Sequence, residues 1–175
     1  MPEKGQNMYF MEHEFFKKGG TMADGGDAII IGSDHAGFAL KEHVKKQLAR
    51  LGVAYHDIGA ADTQSTDYPI WAGRVAQAVA GGRYKRGIAI CGAGIGASIA
   101  ANRFRGVRAA LCTSVEMARL SRQHNNANVL VMGGRITPPE TATHILETWL
   151  ATEFEGGRHE RRVAQLDNIE NAIRE

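Results

Sequence analysis

Residues 87–102, GIAICGAGIGASIAAN, decide how this chain folds. Residues 87–91 form a short apolar run that reads as a buried strand. Glycines follow at 92, 94 and 96, and helix-compatible residues come after them. A strand that turns through glycine straight into a helix is one step of an alternating β/α chain. Gly92, Gly94 and Ala97 also satisfy the loose G-x-G-x-x-G/A pattern of a dinucleotide-binding turn. Two readings stand side by side: a cofactor cradle, or a catalytic loop whose reactive group is Cys91.

The same alternation extends in both directions. AIIIGS (28–33) is a β-branched run. Behind it Leu40, Val44, Leu48 and Leu51 keep helical spacing up to Gly52. VAYHDIG (53–59) reads as a second strand. Pro69 suits a first helical turn, with Trp71, Val75 and Val79 spaced by four behind it. After the glycine loop a third helix stops near Gly106. VRAALC (107–112) is strand four, Val115 to Gln123 a helix, and NVLVMGG (128–134) strand five. Thr137-Pro138-Pro139-Glu140 combines a capping box with proline at the first helical position. Five strands with a helix after each predict a Rossmann-like, doubly wound parallel sheet in three α/β/α layers.

This body spans 28–155. Residues 1–27 lack periodicity and end in GGTMADGGD, an extension in which Met22 is a second possible start. Residues 156–175, GGRHERRVAQLDNIENAIRE, form a charged tail with a helix expected after Arg162.

Composition narrows the function classes. The chain has 175 residues, with 21 basic and 19 acidic side chains leaving +2. That balance gives no general attraction to nucleic acid or membrane. No apolar run approaches the roughly 18 residues of a membrane span. The N-terminal MPEKGQNMYFMEHEFFKKGG is too charged for a signal peptide. Two cysteines do not make a disulfide framework, and a reducing cytoplasm is expected.

Parallel sheets bind ligands at the carboxyl ends of their strands. Ser33, Asp34 and His35 follow strand one, and Asp67 and Tyr68 follow the loop after strand two. Cys91 and the glycines follow strand three, His124 and Asn125 follow helix four, and Arg135 follows strand five. Most of these residues are expected around one mouth. Each has a plainer reading: Asp34 as a helix cap, Cys91 or Cys112 as a small buried hydrophobe, His124-Asn125-Asn126 and Gly133-Gly134 as turns, and Arg103, Arg105 and Arg108 as a solvated face. Convergence on one edge favours function over these.

The chemistry of that edge separates the readings. A dinucleotide site normally uses the first strand and an acid at the end of the second, whereas this loop follows strand three and the next strand ends in Cys112-Thr113-Ser114. Asp34, His35, Cys91 and His124 could ligate zinc, but no C-x-x-C or H-x-x-x-H pair supports it. Alternating glycines instead let backbone N–H groups form an anion-holding nest. A thiolate beside such a nest suits either proton abstraction next to a carbonyl or acyl transfer.

GSDHAGFALK, TDYP, ICGAGIGASIAAN, SRQHNNANVL, GGR and GGRHERR occur in this order and together resemble the ribose-5-phosphate isomerase B / galactose-6-phosphate isomerase family. The resemblance covers about residues 28–167. It implies an aldose–ketose isomerase that needs no metal or other cofactor and works through an enediolate, on ribose 5-phosphate or on a tetrose 4-phosphate or hexose 6-phosphate. The competing class is a nucleotide- or sugar-phosphate-binding domain without turnover. By resemblance Cys91 is the base, since Ala97 occupies the position of the glutamate that other members use. Residues Gly92 to Gly96, including Gly94 and Ile95, form the anion hole. Asp34, His35 and Tyr68 contact the sugar, with Asp67 beside them. His124 opens the ring and Asn125 holds a hydroxyl. Arg135, Arg158 and Arg162 bind phosphate, and His159 lines the site. The resemblance also implies a homodimer or homotetramer with shared sites, so that the tail completes a neighbour's pocket. Arg158 and Arg162, four apart, can face one anion. One departure is Ala93, where cysteine-type members carry a threonine whose hydroxyl helps ring opening.

Overall fold

The computed structural model describes residues 26–169 and 173. The expected extension at 1–27, with Met22, lies outside the described residues except for its last two. Five strands form one sheet: β1 (Ile29–Ser33), β2 (Tyr55–Asp57), β3 (Arg86–Cys91), β4 (Ala109–Leu111) and β5 (Val129–Gly133). Six helices alternate with and follow them: α1 (Phe38–Arg50), α2 (Tyr68–Ala80), α3 (Ile95–Ala101), α4 (Val115–Asn125), α5 (Pro139–Ala151) and α6 (Arg158–Asp167). The strand order is β2-β1-β3-β5-β4 and every pairing is parallel. The predicted α/β class and strand count hold, with β2 and β4 shorter than their apolar runs.

Strand periodicity sorts the core into two layers. Ile29, Ile31, Ile88, Ile90, Leu130 and Met132 face one side, where Leu40, Val44 and Leu48 of α1, Ala118 of α4 and Ile145, Leu146 and Trp149 of α5 cover them. Ile30, Ala89, Cys91, Val129 and Val131 face the other, under Ala72, Val75, Ala76 and Val79 of α2 and Ala97 and Ala101 of α3. Burying strands on both faces explains why they read as continuous apolar runs.

The chain reverses direction at β1: β2 lies on one side of it and β3 on the other. This is the switch point where open α/β sheets form a ligand crevice. The loops after β1, β3 and β5 are tied together there. The Asp34 amide donates to the Ile90 carbonyl at 3.3 Å, the Gly134 amide to that of Cys91 at 2.7 Å, and the Arg135 amide to that of Gly92 at 2.9 Å.

Three local expectations need correction. The capping box at Thr137 does not form: Pro138 is the N-cap, and Thr137 Oγ1 is buried without a hydrogen-bond partner among the described residues. Pro139 alone sets the start of α5. The tail helix begins at Arg158, not after Arg162, immediately behind Gly156 and Gly157, both at positive φ. Arg108 is not on a solvated face, because its Nη1 pairs with Asp167 Oδ1 at 2.8 Å and its Nε donates to the Asn126 carbonyl.

Candidate active site

Cys91 ends β3 and is only 5% exposed. Its Sγ accepts a hydrogen bond from the Gly94 amide at 3.2 Å. That bond needs the loop to double back, and Gly94 does so at φ +79°. A Cβ at Gly94 would also stand 2.5 Å from Leu111 Cδ1, so the position has neither the backbone freedom nor the space for a side chain. One amide of the expected nest thus serves the sulfur itself.

Around the thiol stand most of the strand-end residues. Asp34 is buried, and its Oδ1 accepts the Gly37 amide at 2.9 Å in the turn before α1; Gly37, not Asp34, is the N-cap of that helix. His35 turns toward the loop before α2, with Nδ1 3.2 Å from both the backbone N and O of Thr66. Asp67 is the N-cap of α2 and is exposed. Tyr68, 41% exposed, lays its ring on the glycine loop: a Cβ at Gly96 would lie 2.5 Å from its Cε2 and Cζ. Ile95 opens α3 and is exposed. The Arg135 side chain passes over Gly92, with Cδ 3.6 Å and Nη1 3.8 Å from where a Cβ would stand. Ala93 is exposed beside them and presents only a methyl group.

His124 and Asn125 are elsewhere, and this corrects the expectation of a single mouth. A helix that returns along a parallel sheet runs antiparallel to its strands, so the last turn of α4 reaches the edge where β5 begins. In the β3–β5 register Gly87 pairs with Val129 and Cys91 with Gly133. Four residues of strand, roughly 13 Å, separate the two levels. The zinc set Asp34, His35, Cys91 and His124 is split accordingly.

At that second edge the tail supplies partners. The His124 and His159 rings stack with centroids 4.2 Å apart and planes 6° from parallel. His159 is 6% exposed. Burial first, then the neighbouring His124 and Arg158, hold its imidazole below the ordinary histidine range. Arg158 Nε donates to His159 Nε2 at 3.3 Å, and Arg162 follows one turn later. Glu155 joins this group, with Oε2 3.9 Å from His124 Nε2 and 3.7 Å from His159 Nε2. The three donor atoms lie within 4.8 Å of one another, a spacing that could hold a metal ion. The guanidinium on the His159 lone pair opposes that use. A cavity of about 750 Å³ adjoins this edge, lined by Phe104, Arg108, Asn125, Leu166 and Ile169 among others.

Glu155, which lies against both histidines, was not singled out in the sequence. Its i,i+4 relation to His159 is the signal in the sequence, although Gly156 and Gly157, both at positive φ, break helical spacing between them. The tail also packs on its own α4 through the histidine stack, and Val163 of α6 is buried.

Known proteins resemble the whole body of the chain. The family model described as Ribose/Galactose Isomerase matches residues 29–166. Ribose-5-phosphate isomerase B of Escherichia coli K12 is 48% identical over 142 residues, covering 81% of this chain and 95% of that protein. The crystal structure of a ribose 5-phosphate isomerase from Thermotoga maritima is 50% identical, with a TM-score of 0.79, covering 81% of this chain and 98% of that one. The ribose-5-phosphate isomerase B structure from Clostridium thermocellum is 46% identical, with a TM-score of 0.80, covering 83% and 99%.

Proposed function

The chain belongs to the ribose/galactose isomerase family, and on that premise we propose that it interconverts ribose 5-phosphate and ribulose 5-phosphate with Cys91 as the proton-carrying base. The observation that carries this reading is the buried Cys91 thiol with the Gly94 amide on its sulfur, at the switch-point crevice between Asp34, Tyr68 and Arg135.

In the open-chain aldose the Cys91 thiolate removes the C2 proton. The C2–H pair becomes the C1–C2 double bond, and the carbonyl pair moves to O1. The free amides of residues 92–96 face the developing oxyanion. Protonation at C1 by the same thiol, with loss of the O2 proton, gives the ketose. Asp34, His35 and Tyr68 contact the sugar hydroxyls, with Asp67 behind them.

His124, Asn125, His159, Arg158 and Arg162 act from a second copy of the chain. Their placement at the far edge of the sheet supports this, because they and Cys91 cannot touch one substrate within one chain. A homodimer, alone or paired into a tetramer, brings the far edge of each copy to the crevice of the other. His124 then opens the ring, Asn125 holds a hydroxyl, and Arg158 and Arg162 join Arg135 on the phosphate. Exposed Ile95, Ile99, Met117 and Ile136 are apolar surface suited to such a contact. The reaction belongs to pentose phosphate metabolism in the cytoplasm.

Ala93 favours a second reading of the substrate, a tetrose 4-phosphate. The phosphate on O4 blocks ring closure there, and no hydroxyl is needed at position 93. A panel of tetrose, pentose and hexose phosphates tests both readings. Preference for ribose 5-phosphate supports the first, preference for the tetrose the second, and turnover of none overturns the assignment.

A further inference from the structure

We propose that Glu155 is a positioning residue for His124: it supplies the counter-charge for the imidazolium formed while the sugar ring opens. This rests on the reading of His124 as the ring-opening group.

Three observations lead here. First, one carboxylate oxygen of Glu155 faces Nε2 of both His124 and His159, at 3.9 and 3.7 Å. Second, the Glu155 backbone amide donates to the Gln123 carbonyl at 3.1 Å, the residue before His124. The Glu155 backbone is therefore tied to the last turn of α4, which keeps its side chain within reach of the imidazole. Third, the two histidines are not equivalent. The Nε2 lone pair of His159 accepts from Arg158 Nε, so its ring proton sits on Nδ1. Burial and the neighbouring positive groups push that ring toward its neutral form. His124, with a third of its side chain exposed, is open to a substrate and is stacked on the His159 ring, which fixes its plane.

Ring opening of a furanose needs such a group. The O1 proton passes to His124, and the O1–H pair becomes the second C1–O1 bond. The C1–O4 pair leaves with O4, which takes the proton back from the imidazolium. Charge on His124 is transient, and Glu155 faces it when it forms. Glu116 on the same helix also interacts with His124, while Arg158 and Arg162 act on the stacked His159 and Arg119 acts on Glu155. The cations oppose a positive charge on the ring, and Glu155 is the carboxylate that lies against its Nε2.

The test is the rate of ribose 5-phosphate consumption against enzyme concentration, in the full-length protein, for wild type, Glu155→Gln and Glu155→Asp. Glu155 is half exposed, so glutamine is accommodated without repacking. An enzyme that opens the ring itself gives a rate proportional to its concentration. One that waits for opening in solution reaches a ceiling. The wild type is expected to stay proportional, and Glu155→Gln to bend over, with its slope at high enzyme about tenfold lower. Glu155→Asp restores proportionality. A Glu155→Gln rate that stays proportional to enzyme, at whatever slope, overturns the proposal, because a merely structural defect scales all rates alike. Absence of turnover in the wild type overturns instead the function on which it rests.

Discussion

Cys91 and His124 stand at opposite edges of the same sheet, Cys91 level with Gly133 where β5 ends and His124 in the helical turn that leads to its start. A substrate that meets both must lie between two chains. Cys91→Ala and Arg158→Ala/Arg162→Ala subunits, each inactive alone, should therefore regain activity when mixed and allowed to exchange. A random mixture restores about a quarter of wild-type sites, if each dimer carries two independent sites. Subunit exchange without recovered activity contradicts the shared site.

The glycine loop is set by two close approaches. At Gly94 an added methyl group meets Leu111 and the Met132 backbone, and φ is +79°. Gly94→Ala should destabilise the fold by about 1–3 kcal/mol and displace the amide that caps the Cys91 sulfur. Gly96→Ala meets the Tyr68 ring first, and that exposed side chain can swing away. It should raise KM more than it lowers Tm. Denaturant melts and steady-state kinetics on the two variants read these outcomes separately.

Lys41 is 1% exposed, and its ammonium bridges both Asp57 oxygens at 2.7 and 2.6 Å, with Lys45 adding a third bond. Burial alone would raise the Asp57 pKa, but the hydrogen bonds from Lys41 and Lys45 and the Gly59 amide hold it below the usual range. A carboxyl depressed in the folded state contributes stability above its unfolded pKa of about 4. That contribution is lost as pH falls through the folded value. Asp57→Asn should therefore lower Tm at pH 7, and its deficit against wild type should shrink steadily below about pH 4. A deficit independent of pH contradicts the ion pair's role.

Ala93 bears on substrate choice. Ala93→Thr places a hydroxyl at the exposed mouth beside Cys91. If wild type serves a closed pentose through His124 alone, the substitution should raise kcat/KM for ribose 5-phosphate relative to erythrose 4-phosphate by a fewfold. An unchanged ratio shows that position 93 takes no part in ring opening.

Cys112 gives a contrast within the same chain. Burial pushes its thiol up to about 11. It should stay unlabelled by iodoacetamide at pH 8 in the folded protein and react on unfolding, which peptide mapping detects. Labelling in the native state would contradict its packing.

The alternation of strands and helices was legible because double-sided burial leaves unbroken apolar runs, and helices keep their 3.6-residue spacing. Strand order was not, since nothing local in β4 tells that β5 will insert between it and β3. The Cys91 loop could be read because glycine, cysteine and strand end are adjacent in sequence. His124 was misplaced because chain order was taken for position, although a helix covering a parallel sheet must end at the opposite edge. Lys41, between Leu40 and Val44, looks like a surface residue; only Asp57 across the fold explains its burial. Glu155 was hidden by the two glycines that turn the chain before α6.

The central claim is that Cys91 carries the proton between C1 and C2. Its most direct test is isomerisation of ribose 5-phosphate in deuterium oxide, with label at C1 and C2 followed by NMR in wild type and Cys91→Ala. The account predicts solvent deuterium at the carbon that receives the proton in wild type. It predicts a loss of roughly 10²–10⁴-fold in both turnover and exchange in Cys91→Ala, with substrate still bound. Turnover and exchange near the wild-type rate in Cys91→Ala would contradict it.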